Sequence, residues 1–527
     1  MNSKSRARGL QRLGAGQGPL YDAVIIGGGI VGAGVARELA LRGLKIVLFE
    51  KGDFASATSS KSSKLIHGGL RYLEMYDFGL VFEALAERHW LIKTHPHLVL
   101  PLEFVLPLYE REDSPSPAAR PGWMLQMGLW LYDGLALFRT PFFHKKLTAA
   151  RMKEKFPGLR MKGLEGGLAY ADAMMMDDEM VLECLADAHL HGAESYNYAR
   201  VEKVALVPEP RSAREFLITV KESLPPQATA HRATSGEAFT VRAKEVITCV
   251  GPWTDRMGDV FQGGSGMVMK PSRGIHLLIP WKRFPIDGCL VMFAPDKRII
   301  FVIPRKDFGA GAEMVIVGTT DAPERGDLDE VHAHGAEVQY LLANLASFFP
   351  DAKLTEKDIV STYAGVRPLL DEGASNEAKT SREHEIWHNS DGVVFVAGGK
   401  YTTFRPMSAE IADFAFPGTK AGDSKQPLSK AEEYKARGQG GKPLWGRFTE
   451  EDVRWALGNQ VPLTLEDVVF RRTPLWTQGP GLERRILERV ADLCAAALGW
   501  DSARRGAEIK ATEAKLAMGM QWRARGD

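Results

Sequence analysis

Hydrophobic positions change period twice between residues 21 and 50. Val24–Ile26 is a short apolar run of the kind a buried strand shows. Ala33–Leu41 repeats apolar residues at helical spacing, and Lys45–Phe49 is strand-like again. Strand, helix and strand in this order predict a βαβ unit in a parallel sheet. Farther along, Phe78–Lys93 has a helical period and residues 98–109 alternate as a strand does. Met180–His191 reads as a helix, Ala199–Val207 as a strand, and Arg211–Arg242 as an excursion of short strands with a polar tip. Lys244–Val250 is a buried strand. Residues 272–321 hold the β-rich runs GIHLLIP, RIIFVIP and EMVIVGTTD, which predict a largely antiparallel second sheet. Val331–Phe349 is helical, and residues 392–416 read strand, glycine turn, helix. Residues 416–446 are rich in Gly, Lys and Pro and predict a linker. Beyond it, Thr464-x-x-Asp467 can open a helix and Leu482–Leu498 is amphipathic, so 447–527 is expected to be a small helical domain. No internal repeat is visible.

The first βαβ unit carries Gly27-x-Gly29-x-x-Gly32 at its strand–helix junction and Glu50 at the end of its second strand. Each part has a role in binding a dinucleotide. Gly27 permits the tight turn, Gly29 lets the backbone approach a pyrophosphate, and Gly32 lets helix and strand pack closely. The pyrophosphate would rest on the N–H groups of the helix N-terminus, and Glu50 would accept from ribose hydroxyls. Gly14-x-Gly16 has no strand before it and is a decoy.

The chain has 527 residues, 45% hydrophobic and 25% charged, as expected of a soluble globular protein with two or three domains. A net charge of +1 gives no global attraction to nucleic acid or anionic lipid, and no basic stripe interleaved with aromatics appears. Nucleic acid is therefore not an expected partner. Cys184, Cys249, Cys289 and Cys494 are scattered, with no CxxC pair and no histidine at ligand spacing, so no metal site is expected and the thiols act as small hydrophobes. Residues 1–19 carry Lys4, Arg6, Arg8 and Arg12 without an acid. A mitochondrial presequence would share that charge, but a disordered basic tail is the plainer reading. Residues 121–143 are rich in aromatics (Trp123, Trp130, Tyr132, Phe138, Phe142, Phe143) and precede Lys145 and Lys146. Asp133, Arg139 and two prolines argue against a membrane span, which leaves an interfacial contact or helices folded against the body.

Two further segments bear on which dinucleotide binds. Thr58, Ser59, Ser60, Ser62 and Ser63 offer hydroxyls to phosphate, ribityl and ring. Gly398-Gly399 presents a second strand–helix turn, whose positive end would stabilise an anionic reduced flavin. With one GxGxxG and a cofactor held at both ends, FAD is favoured over NAD.

At this point a resemblance emerges. ATSSKSSKLIHGGLRYLE (57–74), GPW (251–253), IIFVIP (299–304), VGTTD (317–321), YAGVRPL (363–369) and GGKYTTFR (398–405) resemble, in order, the signatures of the FAD-dependent (aerobic-type) glycerol-3-phosphate dehydrogenase family. LEDVVFRR (465–472) is similar to that family's helical C-terminal domain, although this part and the linker look shortened. The resemblance implies oxidation of sn-glycerol 3-phosphate to dihydroxyacetone phosphate, with hydride passing from C2 to flavin N5 and electrons then to a membrane quinone. It also implies a cytoplasmic protein peripheral on the inner face of the cell membrane, and a homodimer is compatible with it.

The implied fold class is α/β: a glutathione-reductase-like FAD-binding Rossmann domain interleaved with an antiparallel β substrate domain, plus the helical C-terminal domain. The oxidoreductase part spans 20–415, with FAD-binding segments at about 20–97, 170–262 and 355–415 and substrate-binding segments at about 98–169 and 263–354. On the matching motifs, Arg71 and Arg367 are the expected phosphate clamp, because planar guanidiniums bind a phosphate bidentately. His276, at the start of a predicted strand, is the expected proton acceptor. His67 is its rival, more suited to holding the flavin loop. Lys400 would steady the substrate oxygen or the flavin, and Tyr72 would add a hydroxyl. Thr319, Thr320 and Asp321 would line the pocket or form a plain strand-end turn. The cofactor set is Gly27, Gly29, Gly32, Glu50, Thr58, Ser59, Ser60, Ser63, His67, Gly68, Gly251, Gly398, Gly399 and Lys400. The rivals are an oxidase that passes electrons to O2, a flavoenzyme acting on an amino or 2-hydroxy acid, and a flavin-loaded sensor without turnover.

Overall fold

A computed structural model describes residues 2–73, 76–118, 120–207, 214–229, 238–261, 263–371, 384–428 and 441–524. The βαβ unit forms as the pattern requires. Strand β1 (Leu20–Ile26) is followed by helix α2 (Ile30–Leu41) and strand β2 (Ile46–Phe49). β1 lies between β2 and the strand Phe239–Thr248, parallel to both, and the strand Val394–Gly398 continues the parallel order. A parallel sheet is covered on both faces, so its strands are apolar throughout. Ala23 and Ile25 pack with Ala33, Val35 and Ala36 of α2, whereas Val24 and Ile26 pack on the other face with Phe216 and Phe395.

That second face explains a departure from the sequence reading. Residues 1–19 are not a disordered tail: Ser3–Gly14 forms helix α1, opened by a reciprocal capping box between Asn2 and Ser5. Leu13 joins the core beneath the sheet. The buried Arg6 guanidinium donates to the Asn197 carbonyl at 2.6 Å and pairs with Glu222 at 2.9 Å. At Gly9 the helix lies so close to Tyr196 that a Cβ would come within 2.1 Å of its hydroxyl.

Among the described residues the second sheet has ten strands, with Ser272–Pro280 between Met314–Gly318 and Ser361–Arg367, antiparallel to both. Its pairings are antiparallel except that Cys289–Phe293 runs parallel to Val99–Tyr109. His276 lies in the middle of Ser272–Pro280, not at its start. Helices Glu450–Asn459, Arg484–Leu498 and Ser502–Met518 follow in the C-terminal region, and Thr464 and Asp467 form the expected capping box. Of the expected linker, residues 429–440 lie outside the described residues.

A buried ionic cluster joins the C-terminal region to the first sheet. Asp53, three residues past Glu50, accepts from Arg471 Nε at 2.5 Å, from Asn197 Nδ2 at 2.9 Å and from Arg472. Burial alone would raise the Asp53 pKa, but Arg472 and Arg471 hold it below the usual carboxylate range. Arg471 also reaches Asp467 at 2.7 Å, and Arg472 donates to the Gln460 carbonyl at 2.9 Å.

In the aromatic segment, the helix Gly122–Leu135 turns Trp123, Met127 and Trp130 to solvent while Leu129 and Tyr132 face the core. Tyr132 does not belong to the exposed face. Its hydroxyl donates to Asp172 at 2.9 Å and accepts from the Gly68 N–H at 2.9 Å.

Candidate active site

A cavity of about 960 Å3 opens where the carboxyl ends of the parallel strands meet the antiparallel sheet. Its nucleotide end is built by the first βαβ unit. Gly27 sits at φ 109°, a conformation only glycine adopts readily, and a Cβ there would meet the Cys249 carbonyl oxygen at 2.4 Å. A Cβ on Gly32 would lie 1.9 Å from the Gly27 carbonyl oxygen, so this glycine secures the close helix–strand packing expected of it. The Glu50 carboxylate accepts from the N–H of Gly28 at 2.7 Å and of Gly52 at 2.8 Å. Burial raises its pKa while those two amides oppose the shift. Glu50 therefore braces the glycine turn as well as facing the cavity.

The hydroxyl-rich loop runs along the middle. Ser59 Oγ accepts from the Ile30 N–H at 2.9 Å, placing the hydroxyl at the N-terminus of α2. Thr58 donates to the Val366 carbonyl at 2.7 Å, tying the loop to the antiparallel sheet. Ser60 is buried and does not line the cavity; it points back to the Ala57 carbonyl. Gly29, Ser62, Ser63, His67, Gly68, Gly251, Gly398, Gly399 and Lys400 all lie in the wall.

At the far end His276 lies flat against Tyr363, and its Nε2 is 2.9 Å from Ser63 Oγ. Burial first, then the nearby Arg367 and Lys64 cations, push the imidazole pKa down to about 3, so the ring is neutral. Its Nδ1 is buried without a hydrogen-bond partner. Arg367 stands on the neighbouring strand. Its Nη2 donates to Thr319 Oγ1 and to the Thr320 carbonyl, each at 3.1 Å, and its Nη1 lies 3.3 Å from Asp321 Oδ1. Gly274 makes room for this arrangement: a Cβ there would fall 2.6 Å from the guanidinium. Thr319–Asp321 thus aim the Arg367 fork as well as ending a strand. Arg71 and Tyr72 fall in the short helix Leu70–Leu73, and their side chains lie outside the described residues.

Several residues of this region carried no sequence signal. Asp177 takes Lys64 at 2.5 Å and Ser62 at 2.7 Å, and its backbone carbonyl accepts from the Tyr401 hydroxyl. One buried acid thus fixes the hydroxyl loop against the segment after Gly398–Gly399. The C-terminal region adds Phe470, Trp476 and Lys515 to the wall. Asp177, Trp476 and Lys515 are brought here by the fold across long stretches of chain, so no local pattern marks them, whereas Phe470 stands in the LEDVVFRR run.

Comparison with known proteins gives the class. The family model described as FAD dependent oxidoreductase matches residues 22–410. A glycerol-3-phosphate dehydrogenase of Synechocystis sp. is 37% identical over 412 residues, covering 75% of this chain and 70% of that protein. Another, from Mycobacterium leprae, is 32% identical over 548 residues and covers 95% of this chain and 88% of its own. In fold, the chain matches the crystal structure of the glycerol-3-phosphate dehydrogenase from Bacillus halodurans complexed with FAD, with a TM-score of 0.71 at 23% identity over the full length of both. The chain belongs to the FAD-dependent oxidoreductases and, within them, to the glycerol-3-phosphate dehydrogenase family.

FAD is its cofactor, and the residues present fit it. The glycine turn and Glu50 suit the adenosine end. A Cβ on Gly29 would come within 2.9 Å of the Ser59 hydroxyl, so glycine there makes room for that hydroxyl at the helix N-terminus, where a pyrophosphate would rest. The Gly398–Gly399 turn closes the other end of the cavity.

Proposed function

We propose that the protein oxidises sn-glycerol 3-phosphate to dihydroxyacetone phosphate and passes the electrons to a membrane quinone. The observation that carries this reading is the guanidinium of Arg367, aimed by Thr319–Asp321 and set beside a neutral His276 in the cofactor's own cavity. When bound, FAD supplies the hydride acceptor.

The chain's residues supply the rest. Arg367, with Arg71, binds the phosphate dianion as a planar fork. His276 takes the hydroxyl proton. Its low basicity when the site is empty stems partly from Arg367, and a dianion on that arginine offsets the cation and makes the imidazole a better base. Ser63 holds Nε2, and Tyr363 fixes the ring plane. Lys400 favours the developing carbonyl oxygen. In the cofactor-binding set, Gly27, Gly29, Gly32 and Glu50 hold the adenosine and pyrophosphate. Thr58, Ser59, Ser63, His67, Gly68, Gly251, Gly398 and Gly399 line the remainder, and Ser60 supports the loop from behind.

Membrane contact is part of the proposal. No helix among the described residues is long and apolar enough to cross a membrane. Trp123 (67% exposed), Met127 and Trp130 on one helix are exposed, with Phe138 and Phe143 beyond it, as are Phe78 and Phe82 of the helix Phe78–Thr94 that packs against it. Exposed apolar side chains like these suit seating in a lipid headgroup layer where a quinone resides.

The test is a two-step anaerobic experiment. Glycerol 3-phosphate is mixed with the yellow holoenzyme and the reduced protein is then mixed with either a soluble quinone or oxygenated buffer. Bleaching followed by faster recovery with quinone is expected. Recovery with oxygen as fast as with quinone makes the protein an oxidase, and no bleaching leaves a flavin-loaded sensor.

A further inference from the structure

The 58–63 loop turns three side chains in three directions. Ser59 meets the N-terminus of α2 and Ser63 meets His276, whereas Lys61 points into the arm of the cavity walled by the C-terminal region. There its Nζ sits 5.4 Å from the centroid of the Trp476 ring and 5.8 Å from that of Phe470. The two rings are nearly parallel, 11° apart in plane. Lys515, from the helix Ser502–Met518, lines the same arm.

The other charges facing this arm are already engaged. Lys64 is held by Asp177, and Arg471 by Asp53, Asp467 and, at 3.5 Å, Glu466. Among the described residues neither Lys61 nor Lys515 ion-pairs with a carboxylate. Burial, followed by the Lys515, Lys64 and Arg471 charges, pushes the Lys61 pKa down to about 7, while Glu466 opposes the shift. Lys61 and Lys515 are partly buried side chains of like sign, neither paired with a carboxylate among the described residues, and an anion between them relieves their mutual repulsion. The facing Trp476 and Phe470 rings add a flat apolar wall.

We propose that this arm is a second binding site, for a small-molecule oxyanion carried on an aromatic body, held by Lys61 and Lys515 with the ring against Trp476 and Phe470. Trp476 meets Tyr363, the platform of His276, edge-on, so the arm adjoins the reaction site, but its occupant does not rest on the proposed substrate. It lies between the cofactor loop and the C-terminal region, so its occupant can bias how that region seats on the loop.

The test titrates the holoenzyme with phenyl phosphate by calorimetry under saturating dihydroxyacetone phosphate, with phenol and inorganic phosphate as separate controls. One saturable phenyl phosphate site is expected, tighter than for inorganic phosphate and without a counterpart for phenol. Its affinity should weaken as the pH rises above about 7 and fall by about tenfold or more in Lys61→Met and in Lys515→Met. Bleaching by glycerol 3-phosphate should stay intact in both variants, which separates failure here from failure of the proposed reaction. Lys515→Met stands on a different element and keeps the test open where Lys61→Met misfolds. Unchanged affinity in the variants, loss of the site when dihydroxyacetone phosphate is present, or absence of saturable binding would each overturn the proposal.

Discussion

His276 is stacked on Tyr363, with ring centroids 4.6 Å apart and planes 12° apart. The two residues are register partners on adjacent strands of the antiparallel sheet, so the backbone ladder itself fixes their contact. The Tyr363 hydroxyl meanwhile donates to the Ser62 carbonyl at 2.9 Å, which couples the imidazole's platform to the hydroxyl-rich loop. Tyr363→Phe keeps the stack and removes that hydrogen bond. It should cost about 1 kcal/mol of stability and leave kcat near wild type. Tyr363→Leu removes the platform, and steady-state kinetics should show kcat reduced by about tenfold to a hundredfold with little change in KM. Equal losses in both variants would remove the ring from the account.

The pH dependence of stability provides a second check on His276. An imidazole pKa of about 3 in the folded chain, against about 6.5 when unfolded, means that the unfolded state binds the extra proton between those values. Stability is therefore lost as the pH falls below about 6.5, with a slope for this one group approaching 1.4 kcal/mol per pH unit. Denaturation of wild type and His276→Gln across that range should diverge accordingly, the variant lacking this contribution. Parallel curves would contradict a buried neutral imidazole.

Asp177 gathers Lys64, Ser62 and Tyr401 on one carboxylate and carbonyl, and both it and Lys64 are buried. Breaking such a pair from one side leaves an uncompensated buried charge, so Asp177→Ala should destabilise the protein by about 3–5 kcal/mol. FAD retention on gel filtration should fall as well, because Ser62 and Lys64, on either side of Ser63, lose their anchor. Asp177→Ala holoprotein that melts with wild type would show that the pair contributes nothing.

Asp53 and Arg472 lie 419 positions apart, yet both are fully buried against each other. Arg472→Met leaves Asp53 with Arg471 and Asn197 alone and is expected to cost about 3 kcal/mol. The combined Asp53→Asn and Arg472→Met variant should lose less than the sum of the single variants in urea denaturation. Strict additivity would mean that the two side chains do not act as a pair.

What the sequence made legible follows from range. The βαβ unit, its glycine turn and Glu50 were readable because strand, helix and turn chemistry are all local within residues 21–50. The N-terminal helix was not, because Leu10 and Leu13 are too few apolar positions in a basic, glycine-containing run to mark it as ordered. Its order comes from the Asn2–Ser5 capping box and from Leu13 and Arg6 meeting a distant sheet. Tyr132 looked like one more interfacial aromatic, and only its place on the inner side of the helix, against Asp172, separates it from Trp130. In the site, motif residues such as His276 and Arg367 were legible as chemistry. Thr319 and Tyr363 stand in quoted motifs, but the way they support Arg367 and His276, and the part of Asp177, are set by strand register and tertiary packing. Ser60 was counted among the cofactor hydroxyls from its neighbours, but the 3-10 turn Thr58–Ser60 rotates it inward.

The central claim is that a phosphate held by Arg367 places a carbinol before the flavin. Anaerobic stopped-flow absorbance tests it most directly, comparing glycerol 3-phosphate with unphosphorylated glycerol in wild type and in Arg367→Ala. The account predicts rapid bleaching by glycerol 3-phosphate in wild type, at least about a thousandfold less efficient with glycerol, and a comparable loss in the variant. Bleaching by glycerol as efficient as by its phosphate, or an Arg367→Ala protein as fast as wild type, would contradict it.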